Sequence, residues 1–437
     1  MTSQEPLFPA SSIDRQFAHE IVRRLVERGY VAYYAGGCVR DALLGLTPKD
    51  FDVATSATPD QVREIFGPEH TRAVGEAFGV VLVHGRIAKK RCQVEVATFR
   101  TDGSYSDGRR PDWVEYATAE EDAQRRDFTI NGLFYDPIAQ KVIDFVGGQA
   151  DLEKQILRAI GDPYARISED KLRMLRAIRF ASRYGFELDA ATRRAIQESA
   201  QGIRLVSGER IGTELEKILQ HPNRLWAWQE LDACGLLDPI AGELLPASKR
   251  ELLGALPKVP LALPVVLASL VHPWGIQGAL QRDLGHIDDP NWQNSLAIIQ
   301  QRWKLSNAIV ESACICVEAS SVIANADQMA WSQVQPKLLR GWLDESVMIA
   351  ESLCGLRGWP VCGLEQCKER LSHPVQEWNP APWIDGSDLI QAGLKPGPAF
   401  GKLLSQARAL QLDGHLSSQS MANDWLVAQI ESQPRTQ

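Results

Sequence analysis

Apolar and polar residues follow two different periods along this chain, and the period changes near residue 152. Between residues 30 and 150, short apolar runs typical of β-strands recur, with helical patterns between them. The predicted strands are 31–35, 51–55, 80–85, 93–99, 133–135 and 142–145. An amphipathic helix is predicted ahead of them, from Ile13 to Gly29, because its apolar residues recur on one helical face. The first third of the chain is therefore predicted to be an α+β domain with a mixed β-sheet.

Beyond residue 152, apolar residues recur with the period of an α-helix. The predicted helices are 168–184, 189–202, 207–220, 223–235, 263–272, 290–303 and 306–323. Prolines in two stretches, 246–264 and 373–382, are predicted to mark joints between helical parts. We therefore expect an α+β head over residues 1–150, followed by three all-α domains over 151–222, 223–375 and 376–437.

The composition is that of an ordinary water-soluble protein: 437 residues, 44% hydrophobic and 23% charged. The first twelve residues lack the apolar core of a signal peptide, and no apolar run approaches the length that crosses a membrane. The eight cysteines are scattered without zinc-ligand spacing, so a reduced, cytoplasmic setting is predicted. The net charge of −8 argues against a general affinity for polyanions but permits a local basic face. The oligomeric state stays open.

One stretch of the head, Tyr34 to Val53, combines paired glycines, a short helical pattern and two closely spaced acids. Gly36 and Gly37 follow a predicted buried strand, where the chain has to turn tightly or let another group approach its backbone. The first turn of the helix predicted next has N–H groups without helical partners, and such a turn attracts anions. Asp50 and Asp52 follow, and in a strand they would share one face, where a divalent ion such as Mg²⁺ would relieve their repulsion. The spacing predicts a phosphate cradle beside a metal clamp.

A third carboxylate is predicted at Glu95, inside the apolar strand 93–99. An acid within such a strand is costly unless it is paired or bound to metal, and a buried ion pair with an arginine is the alternative interpretation. Three carboxylates can hold two Mg²⁺ ions, one to activate an attacking 3′-hydroxyl and one to neutralise a triphosphate.

The segment 125–132 carries residue types that suit a nucleotide. Arg126 has the planar donors that bind phosphate, whereas Asp127 and Asn131 are short polar groups that suit ribose hydroxyls. A simple helix N-cap at Asp127 is the alternative.

A basic helix is predicted to open at residues 169–173, with Asp170 and Arg173 on one helical face. Cytosine and adenine both present an amino donor beside a ring acceptor, so an aspartate and an arginine together match either base. Uracil and guanine present the reverse polarity and would leave like groups opposed. The alternative is a surface salt bridge. Arg176 and Arg179 continue the positive charge along this helix.

The segment 100–111 is polar, contains glycines and has no apolar period, so a mobile loop is predicted. It carries Asp102, Arg109 and Arg110. A passive hairpin connection is the alternative.

Together these segments resemble the motifs of the class II nucleotidyltransferases, which comprise the tRNA CCA-adding enzymes and the bacterial poly(A) polymerases of the DNA polymerase β superfamily. The resemblance covers five motifs between residues 30 and 220 and, more loosely, residues 384–430, whereas it fades over 240–375. It implies a nucleotidyltransferase head followed by a helical neck, body and tail over the four ranges given above. It also implies that Asp50 and Asp52 are catalytic and bind metal, and that Glu95 is catalytic.

The resemblance further implies a set of nucleotide-binding residues, namely Gly36, Gly37, Arg40, Arg126, Asp127, Asn131, Asp170, Arg173, Arg176 and Arg179. Glu169 completes with Asp170 and Arg173 the Glu-Asp-x-x-Arg motif by which class II enzymes select CTP and ATP without a template. The segment with Asp102, Arg109 and Arg110 resembles the flexible loop that helps the CCA-adding enzymes switch from CTP to ATP. Members that add only CC lack that loop.

The expected activity is template-independent addition of CCA to the 3′ end of tRNA from CTP and ATP with Mg²⁺, and no membrane partner is expected. A poly(A) polymerase and an A-only tRNA nucleotidyltransferase are the enzymatic alternatives. Bacterial poly(A) polymerases tend to carry an arginine-rich run where this chain has residues 75–79, and this chain lacks a long basic tail. An inactive RNA-binding regulator is the non-enzyme alternative. It would be expected to lose Asp50 or Asp52, and both are present.

Two segments outside these motifs carry structural predictions. Residues 207–215 resemble the last motif of the head and neck, and Glu209 and Arg210 are predicted to position a helix. Pro273 follows His272 where some bacterial relatives carry a His-Asp phosphohydrolase pair, so a helix end is predicted there rather than a second active site.

The C-terminal segment has two predicted features. Gly397 and Gly401 are predicted to allow close backbone approach at a helix start, and Lys395 and Lys402 to meet phosphate. Helix packing alone is the alternative.

Overall fold

The computed structural model describes residues 7–8, 12–73, 79–103, 113–242, 250–273 and 290–431. The chain divides into two compact units, Met1–Ile240 and Ala241–Gln437. The finer predicted boundaries at 150, 222 and 375 stay predictions.

The first unit contains the strands of the fold. They are β1 (Ala32–Ala35), β2 (Asp52–Thr55), β3 (Thr71–Ala73), β4 (Val80–Ile87), β5 (Lys90–Thr98), β6 (Arg100–Asp102), β7 (Val114–Tyr116), β8 (Phe134–Asp136), β9 (Lys141–Ile143), β10 (Ile156–Leu157) and β11 (Glu187–Leu188). Seven of them form one sheet in the order β3-β4-β5-β2-β1-β8-β9. Within it β2 and β5 are parallel and every other pair is antiparallel, so the predicted mixed sheet is confirmed.

Side-chain alternation gives this sheet one apolar and one open face. Val94 and Val96 of β5 are buried, whereas Glu95 between them is exposed. The apolar face is covered by the first helix of the chain, whose Ala18, Ile21, Val22 and Leu25 are buried. The open face is therefore available for polar chemistry.

Helices of the first unit lie before, between and after the strands. They are α1 (Ile13–Glu27), α2 (Gly37–Leu43), α3 (Pro59–Phe66), α4 (Ala119–Gln124), α5 (Gly148–Glu153), α6 (Pro163–Glu169), α7 (Arg173–Tyr184), α8 (Ala190–Ser199), α9 (Gly208–Leu219) and α10 (Arg224–Ala233). The prediction of one helix over 168–184 is wrong. Asp170 has extended dihedral angles (φ −145°, ψ 105°) and separates α6 from α7.

A short helix, α11 (Leu237–Ala241), spans the boundary between the units, and the second unit is helical throughout its described residues. Its helices are α12 (Arg250–Ala255), α13 (Leu263–Val271), α14 (Pro290–Trp303), α15 (Asn307–Ala324), α16 (Trp331–Leu338), α17 (Leu343–Arg357), α18 (Cys362–Ser372), α19 (Val375–Trp378), α20 (Gly386–Gln391), α21 (Pro398–Leu412) and α22 (Gln419–Glu431). Every residue of α13 is buried, and α13 packs against α15, which also packs against α16 and α17.

By length and composition alone, α15 could cross a membrane, although no such run is predicted from the sequence. Half of its apolar window is buried against neighbouring helices, as in a core helix, so this is weak evidence for a membrane span. His272, at the end of α13, is buried beside α15. Its Nε2 lies 3.2 Å from the Ser320 hydroxyl and 3.3 Å from that of Ser321. Burial lowers the pKa of His272 to about 3, so the imidazole is neutral.

The tail helices form a small core of their own, which includes Leu389, Leu403 and Leu426. No described protein atom lies within 4 Å of a Cβ placed at Gly401, so the predicted close approach of another group there stays a prediction. Gly397 caps α21 in an extended conformation, with only the carbonyl of Lys395 near its Cβ position.

Candidate active site

A pocket of about 590 Å³ lies between the start of α2, the strand β2 and helix α7. Every predicted nucleotide-binding residue lines it together with Asp52, whereas Asp50, Glu95 and Glu169 lie outside the lining. Three further lining residues, Arg125, Phe180 and Arg183, received no role from the sequence. The sequence could have indicated Phe180 and Arg183, because residues 173, 176, 180 and 183 fall on one helical face of α7.

The chain enters the pocket through the turn between β1 and α2. Gly36 has a φ of 65°, a left-handed conformation that favours glycine. A Cβ at Gly36 would also lie 3.0 Å from Nη1 of Arg126. The predicted need for glycine here thus has a double cause, the turn itself and the arginine packed over it.

Asp52 begins β2, opposite Ala35, the last residue of β1. Solvent reaches its side chain through the pocket, yet the surrounding protein also crowds it. This partial burial raises the pKa of Asp52 to about 6, and the negative charges of Glu95 and Asp50 add to the shift. The charge of Arg126 acts in the opposite direction. The site therefore favours a proton or a cation at Asp52.

Two predictions about the other carboxylates need correction. Asp50 lies outside the strand, because β2 begins at Asp52, where its pairing with β1 also ends. Glu95 is exposed, so the argument from a buried acid is wrong. The parallel register of Val53 with Val96 nevertheless sets Glu95 beside Asp52 on the open face of the sheet.

Across the described residues, no three histidine, cysteine or carboxylate side chains converge as a preformed metal cage. The donors that suit Mg²⁺ are the oxygens of Asp52 and its acidic neighbours, whose mutual repulsion a cation would relieve. This donor set fits an open site that a bound phosphate would complete, rather than an all-protein cage.

Arginines dominate the rest of the pocket, and each is held by a carboxylate. Arg40 pairs with Asp41 (2.7 Å), which also accepts a hydrogen bond from Tyr184 (2.8 Å). Asp122 pairs with both Arg125 (2.6 Å) and Arg126 (3.0 Å). These contacts fix the directions of the guanidinium groups before any ligand arrives.

Aromatic rings of α7 support the same cations. The guanidinium carbon of Arg179 lies 4.1 Å from the ring centre of Phe180, and that of Arg40 lies 4.8 Å from the ring centre of Tyr184. Such contacts favour a cation over a ring face. The arginines are thereby held at one wall of the pocket.

Asp127 is the most constrained acid of the site. Its carboxylate accepts hydrogen bonds from the Phe128 amide (2.9 Å), from Asn131 (2.9 Å) and from two nitrogens of Arg176 (2.5 and 2.9 Å). Burial alone would raise its pKa, but Arg176 and Asn131 outweigh it and lower the pKa of Asp127 to about 2. Its oxygens are already engaged, so a direct contact with ribose would require rearrangement.

Asp170 and Arg173 line the same pocket but not as the two ends of one helical salt bridge. Asp170 precedes α7, where its carboxylate accepts from the Leu172 amide (3.1 Å) and from Arg210 (2.7 Å). Arg173 pairs with Glu169 and donates to the Arg166 carbonyl (2.8 Å). Glu169 and Arg210 therefore hold the two predicted base-selecting groups in separate ion pairs.

Helix α9 contributes two side chains that form ion pairs with pocket residues. Besides Arg210, it contributes Glu214, which pairs with Arg179 at 2.5 Å. The predicted positioning role of Arg210 agrees with these contacts. For Glu209 the structure gives a helix N-terminal position after the Ser207 cap.

The predicted loop 100–111 is only partly described. Residues 100–102 form β6, paired with β7, so the loop prediction is wrong for them. Asp102 pairs with Arg100 (3.0 Å) and Arg125 (3.3 Å). Arg109 and Arg110 lie outside the described residues.

The fold and the pocket together define a class of protein. A mixed sheet presents acidic residues on its open face, a glycine turn and an arginine-rich helix line the adjoining pocket, and a helical region follows. This is the organisation of a nucleotidyltransferase head with a helical extension.

Comparison with known proteins identifies the family within this class. Residues 32–158 match the model of the poly(A) polymerase head domain, and residues 185–247 match that of the probable RNA- and SrmB-binding site of polymerase A. A CCA-adding enzyme of Limosilactobacillus reuteri is 33% identical over 405 residues, 92% of this chain and 93% of that protein. A CCA-adding enzyme of Lactiplantibacillus plantarum is 33% identical over 397 residues, 89% and 90% of the two chains. The chain belongs to the CCA-adding enzyme family of tRNA nucleotidyltransferases.

Solved structures agree with this assignment. The Bacillus stearothermophilus CCA-adding enzyme in complex with CTP is 28% identical, with a TM-score of 0.73 over 96% of this chain and 98% of its own. The Thermotoga maritima CCA-adding enzyme complexed with tRNA is 20% identical, with a TM-score of 0.66 over 95% of each chain. At that identity the second likeness concerns the fold.

Proposed function

We propose that this chain adds CCA to the 3′ end of tRNA from CTP and ATP without a nucleic-acid template. The observation that carries the proposal is a single pocket that contains the carboxylate of Asp52, a wall of arginines, and the acceptor and donor pair Asp170 and Arg173. Nucleotidyl transfer without a template requires a carboxylate for metal, cations for phosphate and groups that bind the base, and here all three line the same pocket.

Mg²⁺ would be held by Asp50 and Asp52, with Glu95 on the neighbouring strand. The donor chemistry fits, because burial raises the pKa of Asp52 to about 6 and the charges of Glu95 and Asp50 add to the shift, and a divalent ion would relieve their repulsion. When bound, two such ions would activate a 3′-hydroxyl and neutralise the triphosphate and the departing pyrophosphate.

The arginine wall would bind the triphosphate. Arg40 and Arg126 flank the glycine turn, and Arg176 and Arg179 project from α7. Each is oriented by a buried or half-buried carboxylate, so little reorganisation is needed when phosphate arrives. Asp127 acts here by fixing Arg176, whose guanidinium donates two hydrogen bonds to its carboxylate.

Base selection would fall to Asp170 and Arg173, with Glu169 and Arg210 as their positioning residues. The carboxylate of Asp170 accepts from the amino group of cytosine or adenine, while the guanidinium of Arg173 donates to the adjacent ring nitrogen. Their separate ion pairs prevent the two groups from neutralising each other.

The relatives support the choice of substrates. The two curated relatives described above are CCA-adding enzymes matched over at least 90% of their length, and the 28% identical structure was solved with CTP. The head-domain model carries the name of poly(A) polymerase, so that activity is retained as the second candidate.

The test incubates the purified chain and Mg²⁺ with a tRNA transcript that lacks its CCA end, supplying CTP, ATP or both, and sequences the products. The proposal expects CC with CTP alone and CCA with both nucleotides. An adenosine tract from ATP alone would indicate a poly(A) polymerase, and A added only to tRNA that already ends in CC would indicate an A-only enzyme. The matched control is Asp52→Ala from the same preparation, since any incorporation it retains comes from a contaminant.

A further inference from the structure

The hairpin of β4 and β5 extends beyond the acidic edge of the sheet. Strand β2 begins at Asp52, whereas its parallel neighbour β5 begins at Lys90, five residues ahead of Glu95. The tip of the hairpin carries four basic residues within positions 86–91, namely Arg86, Lys89, Lys90 and Arg91. We call these four residues the basic tip.

Strand register sets several polar side chains on the open face that bears Glu95. In β4 and β5, Leu82 is opposite Glu95, His84 is opposite Gln93 and Arg86 is opposite Arg91. Side chains two residues apart share a face, so a polar and basic strip runs from Glu95 toward the tip. Its length from Glu95 to Arg91 is about 13 Å at a rise of about 3.3 Å per residue.

A cleft of about 760 Å³ lies along this hairpin. It is lined by His70, His84, Gly85, Arg86, Arg91, Cys92 and Gln93. None of these lining residues is acidic. The cleft is separate from the pocket described above, with which it shares no lining residue.

The arginines of the strip are exposed and uncommitted. No carboxylate among the described residues lies within ion-pair distance of Arg86 or Arg91, in contrast to the carboxylate-held arginines of the pocket. Lys90 differs, because it pairs with Asp14 of α1 at 3.5 Å. The net charge of the chain is −8, so the unpaired Arg86 and Arg91 form a local positive charge opposite in sign to that of the whole chain.

The turn at the tip holds these side chains in a defined hairpin. Ala88 and Lys89 both have positive φ (46° and 68°), the conformation that closes a two-residue hairpin in register with twisted strands. The cations therefore project from a paired β-ribbon rather than from a free loop.

We propose that the basic tip and the adjoining strip bind the phosphate backbone of the RNA primer on the side of the catalytic carboxylates. The proposal rests on the function proposed above and adds a substrate contact to it. Three features identify the occupant: the positive charge of Arg86 and Arg91 without counter-charge, their exposure, and their continuity with the face that bears Glu95. Backbone contacts of this kind position a nucleic acid without reading its sequence.

The test compares Arg86→Glu/Arg91→Glu with a matched control, Lys141→Glu/Lys154→Glu. The control makes the same charge change at two exposed lysines of the same unit, remote from the basic tip in sequence. Direct binding of tRNA is measured for wild type and both variants over a salt series. Steady-state CMP incorporation is then measured as a function of tRNA and, separately, of CTP.

The expected result is a rise of about tenfold or more in the Kd and KM for tRNA, with KM for CTP and kcat at saturating tRNA unchanged. The slope of log affinity against log salt should also become shallower by about two phosphate contacts. The control should match wild type, and equal thermal midpoints would show that all three proteins are folded. If Arg86→Glu/Arg91→Glu lowers the midpoint, Arg86→Ala/Arg91→Ala takes its place.

Unchanged tRNA affinity and salt slope in the arginine variant would overturn the inference, as would an equal loss in the control. The binding arm does not depend on catalysis. A wild-type protein that binds tRNA through the tip but adds no CCA would therefore contradict the proposed function and leave this inference standing.

Discussion

The two units bury polar side chains of different kinds. In the first unit the buried set includes charged residues, namely Arg40, Asp41, Asp122, Asp127, Asp151, Glu214 and Arg224. In the described part of the second unit, the buried polar residues are serines, amides and the neutral His272. Burying charge is costly unless each ion has a partner. In the first unit most of these charges line the pocket or hold its arginines, whereas the second unit, which packs helices, avoids this cost in its described residues.

Asp52 provides the sharpest test of this contrast, since it is acidic, central and without an ion pair among the described residues. We expect Asp52→Ala to lower nucleotide transfer more than about 10⁴-fold, because the lost metal contact supplies several kcal/mol in the transition state. The affinity for tRNA and the thermal midpoint should stay near wild type. Asp60→Ala, an exposed acid of the same unit, is the control. Near-normal incorporation by the Asp52 variant in Mg²⁺ would remove this residue from the mechanism.

Asp127 should behave in the opposite way, as a residue required for folding. We expect Asp127→Ala to lower the free energy of unfolding by about 1–3 kcal/mol, because it removes a buried carboxylate and leaves the half-buried Arg176 without its ion-pair partner. Denaturant titration measures this loss, and the same change in an Arg176→Met background should cost much less. A loss below about 1 kcal/mol in the wild-type background would mean that the pair is effectively solvated.

The pH dependence of the Asp127 pair follows from its lowered pKa. The folded-state pKa is about 2 and the ordinary value is 3.8, so the pair stabilises fully above about pH 4. That contribution should decline as the pH falls from about 4 toward 2. Asp127→Asn should lack this acid-dependent decline when urea midpoints are compared across the range.

Reversing the polarity of the base-selecting residues Asp170 and Arg173 should have a smaller effect, and exchanging these two residues alone would not test it. Asp170→Arg with Arg173→Asp would set an arginine against Arg210 and an aspartate against Glu169, so the double variant should be poorly ordered. Adding Glu169→Arg and Arg210→Glu restores both ion pairs with reversed polarity.

With all four changes, preference should shift from CTP and ATP toward UTP and GTP by about 1–3 kcal/mol, or roughly 5- to 150-fold. Single-nucleotide incorporation assays measure the shift. A folded quadruple variant that still prefers CTP would indicate that the base is read elsewhere.

The outcome at Asp170 also shows where sequence reasoning stops. Local period and turn residues predicted six of the seven strands of the main sheet, and α14 agrees with its predicted bounds of 290–303. The break at Asp170 was missed because a helical pattern of side chains continues through it, while its cause is the distant Arg210, forty residues further on. Glu95 is different, since the alternation of Val94 and Val96 already indicated an exposed position.

Motifs predicted the lining of the pocket better than they predicted its contacts. The residues that converge there were recognisable by type and spacing, but their partners lie far apart in sequence, as with Tyr184 and Asp41. Such pairings depend on how β1, α2 and α7 pack, which local patterns do not contain. The basic tip was missed for another reason: its role depends on strand register relative to Glu95.

His272 tests the neutral core of the second unit. Its folded-state pKa is about 3, below the ordinary 6.5, because burial beside Ser320 and Ser321 disfavours the charged imidazole. Between these values the unfolded chain takes up a proton that the folded chain does not. The free energy of unfolding should therefore fall as the pH drops from about 6.5 toward 3, at up to about 1.4 kcal/mol per pH unit from this residue.

Hydrogen exchange of the α13 and α15 amides should report this trend, and His272→Gln should flatten it. The control His415→Gln, at an exposed position of the same unit, should leave the trend unchanged. If the His272 variant keeps the full slope, the acid sensitivity of this core has another source.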